Sequence, residues 1–142
     1  MAVSKAEFTA AQGYFFDLVI VASKSDGEVT AIRATIRGIN GSKNIFRRKR
    51  KLDYQVLADV SDLRSELPTG WIEVPDADQV EHVNVWPANR TCPLTHRQLP
   101  WICWGSAAAT WTERAAAERT LSSFLDLATR VLGAANLDSQ AR

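Results

Sequence analysis

Residues 81–111 read EHVNVWPANRTCPLTHRQLPWICWGSAAATW, and they hold both cysteines, both histidines and four of the five tryptophans of the chain. Pro87, Pro93 and Pro100 punctuate the stretch. Each proline ring fixes φ and removes a backbone donor, so, apart from Val80–Trp86, which can be extended, regular structure is not expected over most of the stretch and it reads mainly as a long loop. Loops carried by a rigid frame are where reactive side chains are usually displayed. Cys103, between Ile102 and Trp104, is the candidate nucleophile on that loop. Against it stands the ordinary fate of a free cysteine, which is to be buried and inert.

Downstream of this stretch, Thr110-Trp111-Thr112-Glu113 fits a capping box. Leu121, Phe124, Leu125, Ala128, Val131 and Leu132 then recur at helical spacing, and Gly133 stands at the expected stop. The pattern predicts one helix of about 20 residues whose apolar stripe lies on a sheet.

Upstream, Ser4-Lys5-Ala6-Glu7 is another capping box, predicting a short helix to about Gln12 with Gly13 after it. Tyr14–Ser23 is β-branched and aromatic, and Ser25-Asp26-Gly27 is a hairpin signal. The return strand, about Glu28–Arg37, places Thr30, Ile32, Ala34 and Ile36 on one face before Gly38-Ile39-Asn40-Gly41 breaks the pattern. Leu52, Tyr54, Val56, Ala58 and Val60 alternate with Asp53, Gln55, Leu57 and Asp59, as in a half-buried strand. Leu67-Pro68-Thr69-Gly70 reads as a turn, and Trp71–Val74 as a short strand ended by Pro75 and Asp76. The expected architecture is an α/β (α+β) two-layer domain spanning 1–142: an antiparallel meander of about four strands with the long helix on one side.

A chain of 142 residues suits one domain, and such a chain buries roughly 70% of its unfolded surface. A formal charge of +1 argues against a dedicated nucleic-acid coat. Two cysteines are too few for a disulfide framework, and the opening MAVSKAEF lacks the basic-then-apolar pattern of a signal peptide. No apolar run approaches the ~20 residues of a membrane helix, so a soluble, cytoplasmic protein is expected. The basic run Arg47–Lys51 has no interleaved aromatics; it reads as a solvated arm or a contact for an acidic partner rather than a nucleic-acid reader. His82, Cys92, His96 and Cys103 are four possible zinc ligands within 22 residues, but no CxxC pair is present to fix a metal or to match a zinc deaminase. No glycine-rich phosphate loop occurs. Neither a cofactor nor a metal is expected.

His82-Val83-Asn84, then Ile102-Cys103-Trp104-Gly105, then Trp111 eight residues after the cysteine, then Asn136-Leu137-Asp138 beyond the helix, form an ordered set. This set resembles the ubiquitin-conjugating enzymes, whose His-Pro-Asn tripeptide stands here as His82-Val83-Asn84. The wording NVW…LPWICWG is similar to a bacterial branch found in antiphage operons beside cyclic-oligonucleotide synthases. The likeness spans roughly residues 14–140, with its specific motifs between His82 and Asp138. Four departures mark the chain. Val83 replaces proline, and nineteen residues separate Asn84 from Cys103 where the family has about eight. The family's two C-terminal helices have no counterpart, and its Tyr-Pro-rich junction is represented only by Leu67-Pro68 and Pro75. Spacing leaves two thiols open: Cys92 lies eight residues after Asn84, and Cys103 eight before Trp111. Ile102 and Trp104 offer Cys103 a half-buried mooring, whereas Cys92, between Thr91 and Pro93, is expected in a flexible tip.

The resemblance implies an acyl carrier. The thiolate takes a partner's C-terminal carboxyl as a thioester and yields it to an amine, a role that suits cysteine because its thiolate is accessible and strongly nucleophilic near neutral pH. It further implies catalytic roles for Asn84, as an oxyanion donor, and for His82 in the same loop, and Asp138 as an aid to the incoming lysine. The implied partners are proteins: an acyl donor such as a nucleotidyltransferase or a ubiquitin-like protein, and an activating enzyme. The rival expectation is a non-catalytic adaptor of the same fold.

Overall fold

A computed structural model of the chain describes residues 3–15, 17–40, 51–74, 82 and 84–133, the side chains of 38–40 and 51–52 excepted. Val83, the run 47–50, Pro75-Asp76 and Asn136-Leu137-Asp138 lie outside these residues. Helix α1 (Lys5–Gln12) opens the fold. Strands β1 (Val19–Ser23), β2 (Val29–Asn40), β3 (Lys51–Asp59), β4 (Trp71–Glu73), β5 (Val85–Thr91) and β6 (Gln98–Ile102) follow. Helix α2 (Ala107–Glu113), a 3-10 turn at Ala116–Glu118 and helix α3 (Leu121–Gly133) complete the described elements. The strands form one antiparallel sheet in the order β1-β2-β3-β4-β6-β5, so the described residues contain six strands rather than about four.

The two additional strands come from the segment read as a loop. Pro87 is tolerated because β5 is an edge strand and its register with β6 is irregular between Trp86 and Arg90. Pro100 is tolerated because the pairing of β6 with β4 is confined to Trp71 and Trp101. Proline is found in sheets at edges and irregularities of this kind. The hairpin closes where the Cys92 N–H donates to the Arg97 carbonyl at 2.8 Å and the His96 N–H to the Cys92 carbonyl at 2.8 Å. His96 sits at φ 59 to make that turn. Cys92 is therefore not in a flexible tip; it is fully buried with Leu57, Trp71 and Leu99.

The first hairpin turns at Ser25-Asp26-Gly27 as its composition predicts, with Gly27 at φ 89. Strand β2 runs on to Asn40, and the glycine expected to end it is absorbed by a register shift between Ile36 and Ile39. One register row crosses all six strands: Val19, Arg33, Leu57, Trp71, Trp101 and Trp86. Its residues share one face of the sheet, since side chains alternate along each strand. On the opposite face Ile36, Tyr54, Val56, Ile72 and Ile102 meet Ala128 and Leu132 of α3. The central strands are thus buried on both faces, which is why Leu57, counted on the polar side of an alternating pattern, has no exposed surface.

The single long helix is instead three pieces. Arg114 (ψ 152) and Ala115 (ψ 144) are extended, so α2 ends there. The break lets Trp111 drop into the core and donate its indole N–H to the Leu63 carbonyl at 3.1 Å. Arg119 collects the carbonyls left open, donating to Arg114 at 2.7 Å, to Thr112 at 3.1 Å and to Arg64. Helix α3 starts with the Thr120 hydroxyl accepting the Ser123 N–H at 3.1 Å. The first capping box is half realised. The Ser4 hydroxyl accepts the Glu7 N–H at 3.1 Å, but the Glu7 carboxylate pairs with Arg64 and accepts the Leu121 N–H at 2.7 Å. An anion is favoured there because the first turn of a helix carries unpaired N–H groups and the positive end of its dipole.

Candidate functional site

Cys103 follows the last residue of β6, and its N–H donates to the Asn84 carbonyl at 2.8 Å. This bond extends the β5–β6 ladder by one step beyond the Val85–Ile102 pair. Nineteen residues of sequence therefore separate two neighbours, because the hairpin between them doubles back. Ile102, almost fully buried, donates its N–H to the Gly70 carbonyl at 2.8 Å. Trp104 donates its indole N–H to the Pro68 carbonyl at 3.0 Å and meets Phe124 edge-on with centroids 5.8 Å apart. Gly105, at φ 56, then turns the chain toward α2. The cysteine is half-buried between two anchored neighbours, as their side chains suggested.

Cys103 lines an open groove of about 360 Å³. Asn84 and Cys103 form the sheet side, the turn Trp104-Gly105-Ser106 forms one end, and Ala107, Thr110 and Arg114 extend it along α2. Leu127, Arg130 and Val131 supply the α3 wall. Two arginines and no carboxylate appear among these described lining residues. The Arg114 guanidinium lies 5.2 Å from the Trp111 ring centroid. Arg130 has its Nε 3.3 Å from Asp126 Oδ2, with side chains 62% and 65% exposed, an ion pair of the weak surface kind. Sequence reasoning missed both arginines, which carry no motif; only the tertiary fold puts α2 and α3 residues into the lining of the same groove as Cys103.

His82 and Asn84 do the work of a helix cap. The last carbonyls of any α-helix lack intrahelical partners. His82 Nε2 lies 2.7 Å from the Leu132 carbonyl, and the Asn84 side-chain N–H donates to the Val131 carbonyl at 2.9 Å. The Asn84 backbone N–H donates to His82 Nδ1 at 3.0 Å. Together these contacts assign the imidazole: Nδ1 accepts, Nε2 carries the hydrogen, and the ring is neutral. Asn84 lines the groove beside Cys103, whereas His82 is buried behind it and does not line it. The Tyr54 ring lies 6.1 Å from the imidazole, and burial pushes the Tyr54 phenol up to about 12.

The four residues weighed as zinc ligands do not converge. His82 has both ring nitrogens on backbone groups, Cys92 is in the core of the opposite sheet face, His96 is exposed on the hairpin turn, and Cys103 is in the groove. Among the described residues no group of three or more potential ligands gathers, and no helix is long and apolar enough to cross a membrane. Comparison with protein-family models, with curated proteins and with solved structures returned no match.

Proposed function

We propose that this chain is a ubiquitin-conjugating-like acyl carrier with Cys103 as its nucleophile. The observation that carries the reading is that Cys103 is the half-buried thiol of an open groove whose other walls are fixed, while Cys92 is sealed in a core. In the proposed cycle Cys103 Sγ attacks the carbonyl carbon of a partner's C-terminus held as a thioester on an activating enzyme. The new C–S bond forms, the activating enzyme's thiolate leaves, and the Cys103 proton ends on it. A lysine amine then attacks, the C–N bond forms, the C–S bond breaks, and the amine's proton returns to Cys103. Aminolysis runs downhill because a thioester lacks amide resonance, and an unhindered thiolate needs little base assistance.

Asn84 supports this step through position: its carbonyl holds the Cys103 N–H and its side chain ties that point to the end of α3. A donor of this type near the tetrahedral oxyanion is worth ~3 kcal/mol where it reaches the oxygen. His82 acts through Asn84 and not on the sulfur. The nucleotidyltransferase donor and the antiphage setting follow from the resemblance to the bacterial ubiquitin-conjugating-like branch, and a reducing, cytoplasmic location from two cysteines being too few for a disulfide framework. The adaptor reading keeps one supporting observation, namely that both loop residues of the tripeptide are engaged in capping α3.

The test is conjugate formation with an activated partner, read on non-reducing gels. Wild type and Cys92→Ala are expected to give a thiol-reducible conjugate, Cys103→Ala none, and Cys103→Ser a thiol-resistant ester. A conjugate that persists in Cys103→Ala and vanishes in Cys92→Ala transfers the role to the buried thiol and overturns the reading.

A further inference from the structure

We propose that the groove beside Cys103 selects an anionic tail: the segment it takes carries aspartate or glutamate side chains within a few residues of its reacting end. This rests on the carrier reading for what the tail is, but its physical basis is separate. Arg114 reaches the groove from α2 and Arg130 from α3, while the thiol sits at the end of β6. Among the described lining residues there are two arginines and no aspartate or glutamate. Arg114 is held against an aromatic face, which leaves its charge intact. Among the described residues Arg130 pairs with the solvent-exposed Asp126 one helical turn before it.

Two like charges on the walls of a partly enclosed surface raise the local concentration of an opposite charge. They favour carboxylates over lysines at the same positions, since like charges brought together carry a penalty. The apolar side of the α3 wall, Leu127 and Val131, suits the aliphatic or glycine backbone portion that must lie flat against the thiol. A guanidinium fork donates two parallel hydrogen bonds to a carboxylate, so arginine rather than lysine at both positions fits recognition of acidic side chains.

The experiment has two arms on the full chain. In the first, Cys103 is titrated with a dianionic aromatic disulfide, 5,5′-dithiobis(2-nitrobenzoate), and with neutral 4,4′-dithiodipyridine. In each case the thiolate attacks one sulfur, a mixed disulfide forms and one aryl thiolate leaves. Cys103→Ser supplies the background from Cys92. The ratio of anionic to neutral rates is expected to fall about 5- to 10-fold in the Arg114→Gln/Arg130→Gln double variant, and to converge with wild type as salt rises. Arg130→Gln alone, at a mostly exposed side chain, is expected to give about half of that effect on a logarithmic scale and guards against a folding defect at Arg114.

In the second arm, fluorescein-labelled peptides ending in Gly-Gly, with Glu-Asp-Glu, Gln-Asn-Gln or Lys-Arg-Lys before it, are bound to Cys103→Ser and followed by anisotropy. The acidic peptide is expected to bind at least 10-fold more tightly than the basic one. An unchanged rate ratio in the double variant, or equal binding of the acidic and basic peptides, overturns the inference. Charge discrimination without any thioester formation sinks the carrier reading and leaves the groove's preference standing; thioester formation without discrimination does the reverse.

Discussion

Replacing Gly70 with alanine tests how the thiol is held. A Cβ added at this position falls 2.7 Å from Ile102 Cδ1, 3.3 Å from Ile102 Cγ1 and 3.3 Å from Trp104 Cζ2. These are the two residues that flank Cys103, and the same glycine's carbonyl accepts the Ile102 N–H at 2.8 Å. Ile102 cannot simply swing away, because its side chain is packed among Tyr54, Val56, Ile72, Ala128 and Leu132. Forcing one methyl into such a core costs ~1–3 kcal/mol. Gly70→Ala is therefore expected to lower stability by about 2 kcal/mol in urea unfolding, and to change the rate at which Cys103 reacts with a neutral disulfide. Ile102→Val removes the Cδ1 atom that meets the new methyl and alone costs ~0.5–1.5 kcal/mol. If the Cδ1 contact is the cause, the double variant is more stable than the sum of the two losses, with a coupling of about 1 kcal/mol or more. Strict additivity, or an unchanged thiol rate in Gly70→Ala, refutes the idea that Gly70 sets the seat of Cys103.

Tyr54 is fully buried and its hydroxyl has no hydrogen-bond partner among the described residues. Its phenol is raised from the usual 10 to about 12 by burial, so the stability linked to it is whole below pH 10 and lost as pH rises from 10 toward 12. Tyr54→Phe is expected to remove most of that alkaline loss and to be neutral or stabilising by about 1 kcal/mol at pH 7; a destabilisation of several kcal/mol in thermal melts contradicts it. Glu7→Gln weakens the ion pair with Arg64 and the anionic cap on α3, and is expected to cost ~1–2 kcal/mol in urea, with no change in thiol rate. His82→Ala opens the bonds to Leu132 and Asn84 and is expected to cost ~2–3 kcal/mol. It should leave the pH at which Cys103 becomes reactive unmoved; a shift in that pH profile means that the imidazole acts on the sulfur and refutes a purely supporting role.

Short-range chemistry was legible. The Ser25-Asp26-Gly27 turn, the alternation of β3, the stripe of α3 and the Ser4 cap follow from propensity and period, and each is found. The Pro-punctuated segment was misread because a proline forbids a donor at one place only. Whether that place needs one depends on which strand lies beside it, and β5 has an open edge. The long helix was misread for a related reason: Trp111 and the stripe from Leu121 share a period, but burying both requires the turn at Arg114 and Ala115.

Period and propensity alone pointed to an antiparallel sheet with a helix across it, and a family resemblance grouped Cys103, Asn84 and His82. Tertiary structure decided what each of them faces. Ladder pairing put Asn84 beside Cys103, the C-terminal carbonyls of α3 claimed His82 and the Asn84 amide, and the opposite sheet face sealed Cys92. Arg114 of the α2 end and Arg130 of α3 joined Cys103 in lining one groove only through the tertiary fold. Period and propensity act over a few neighbouring residues, whereas exposure and charge at a groove are set by elements far apart in the chain.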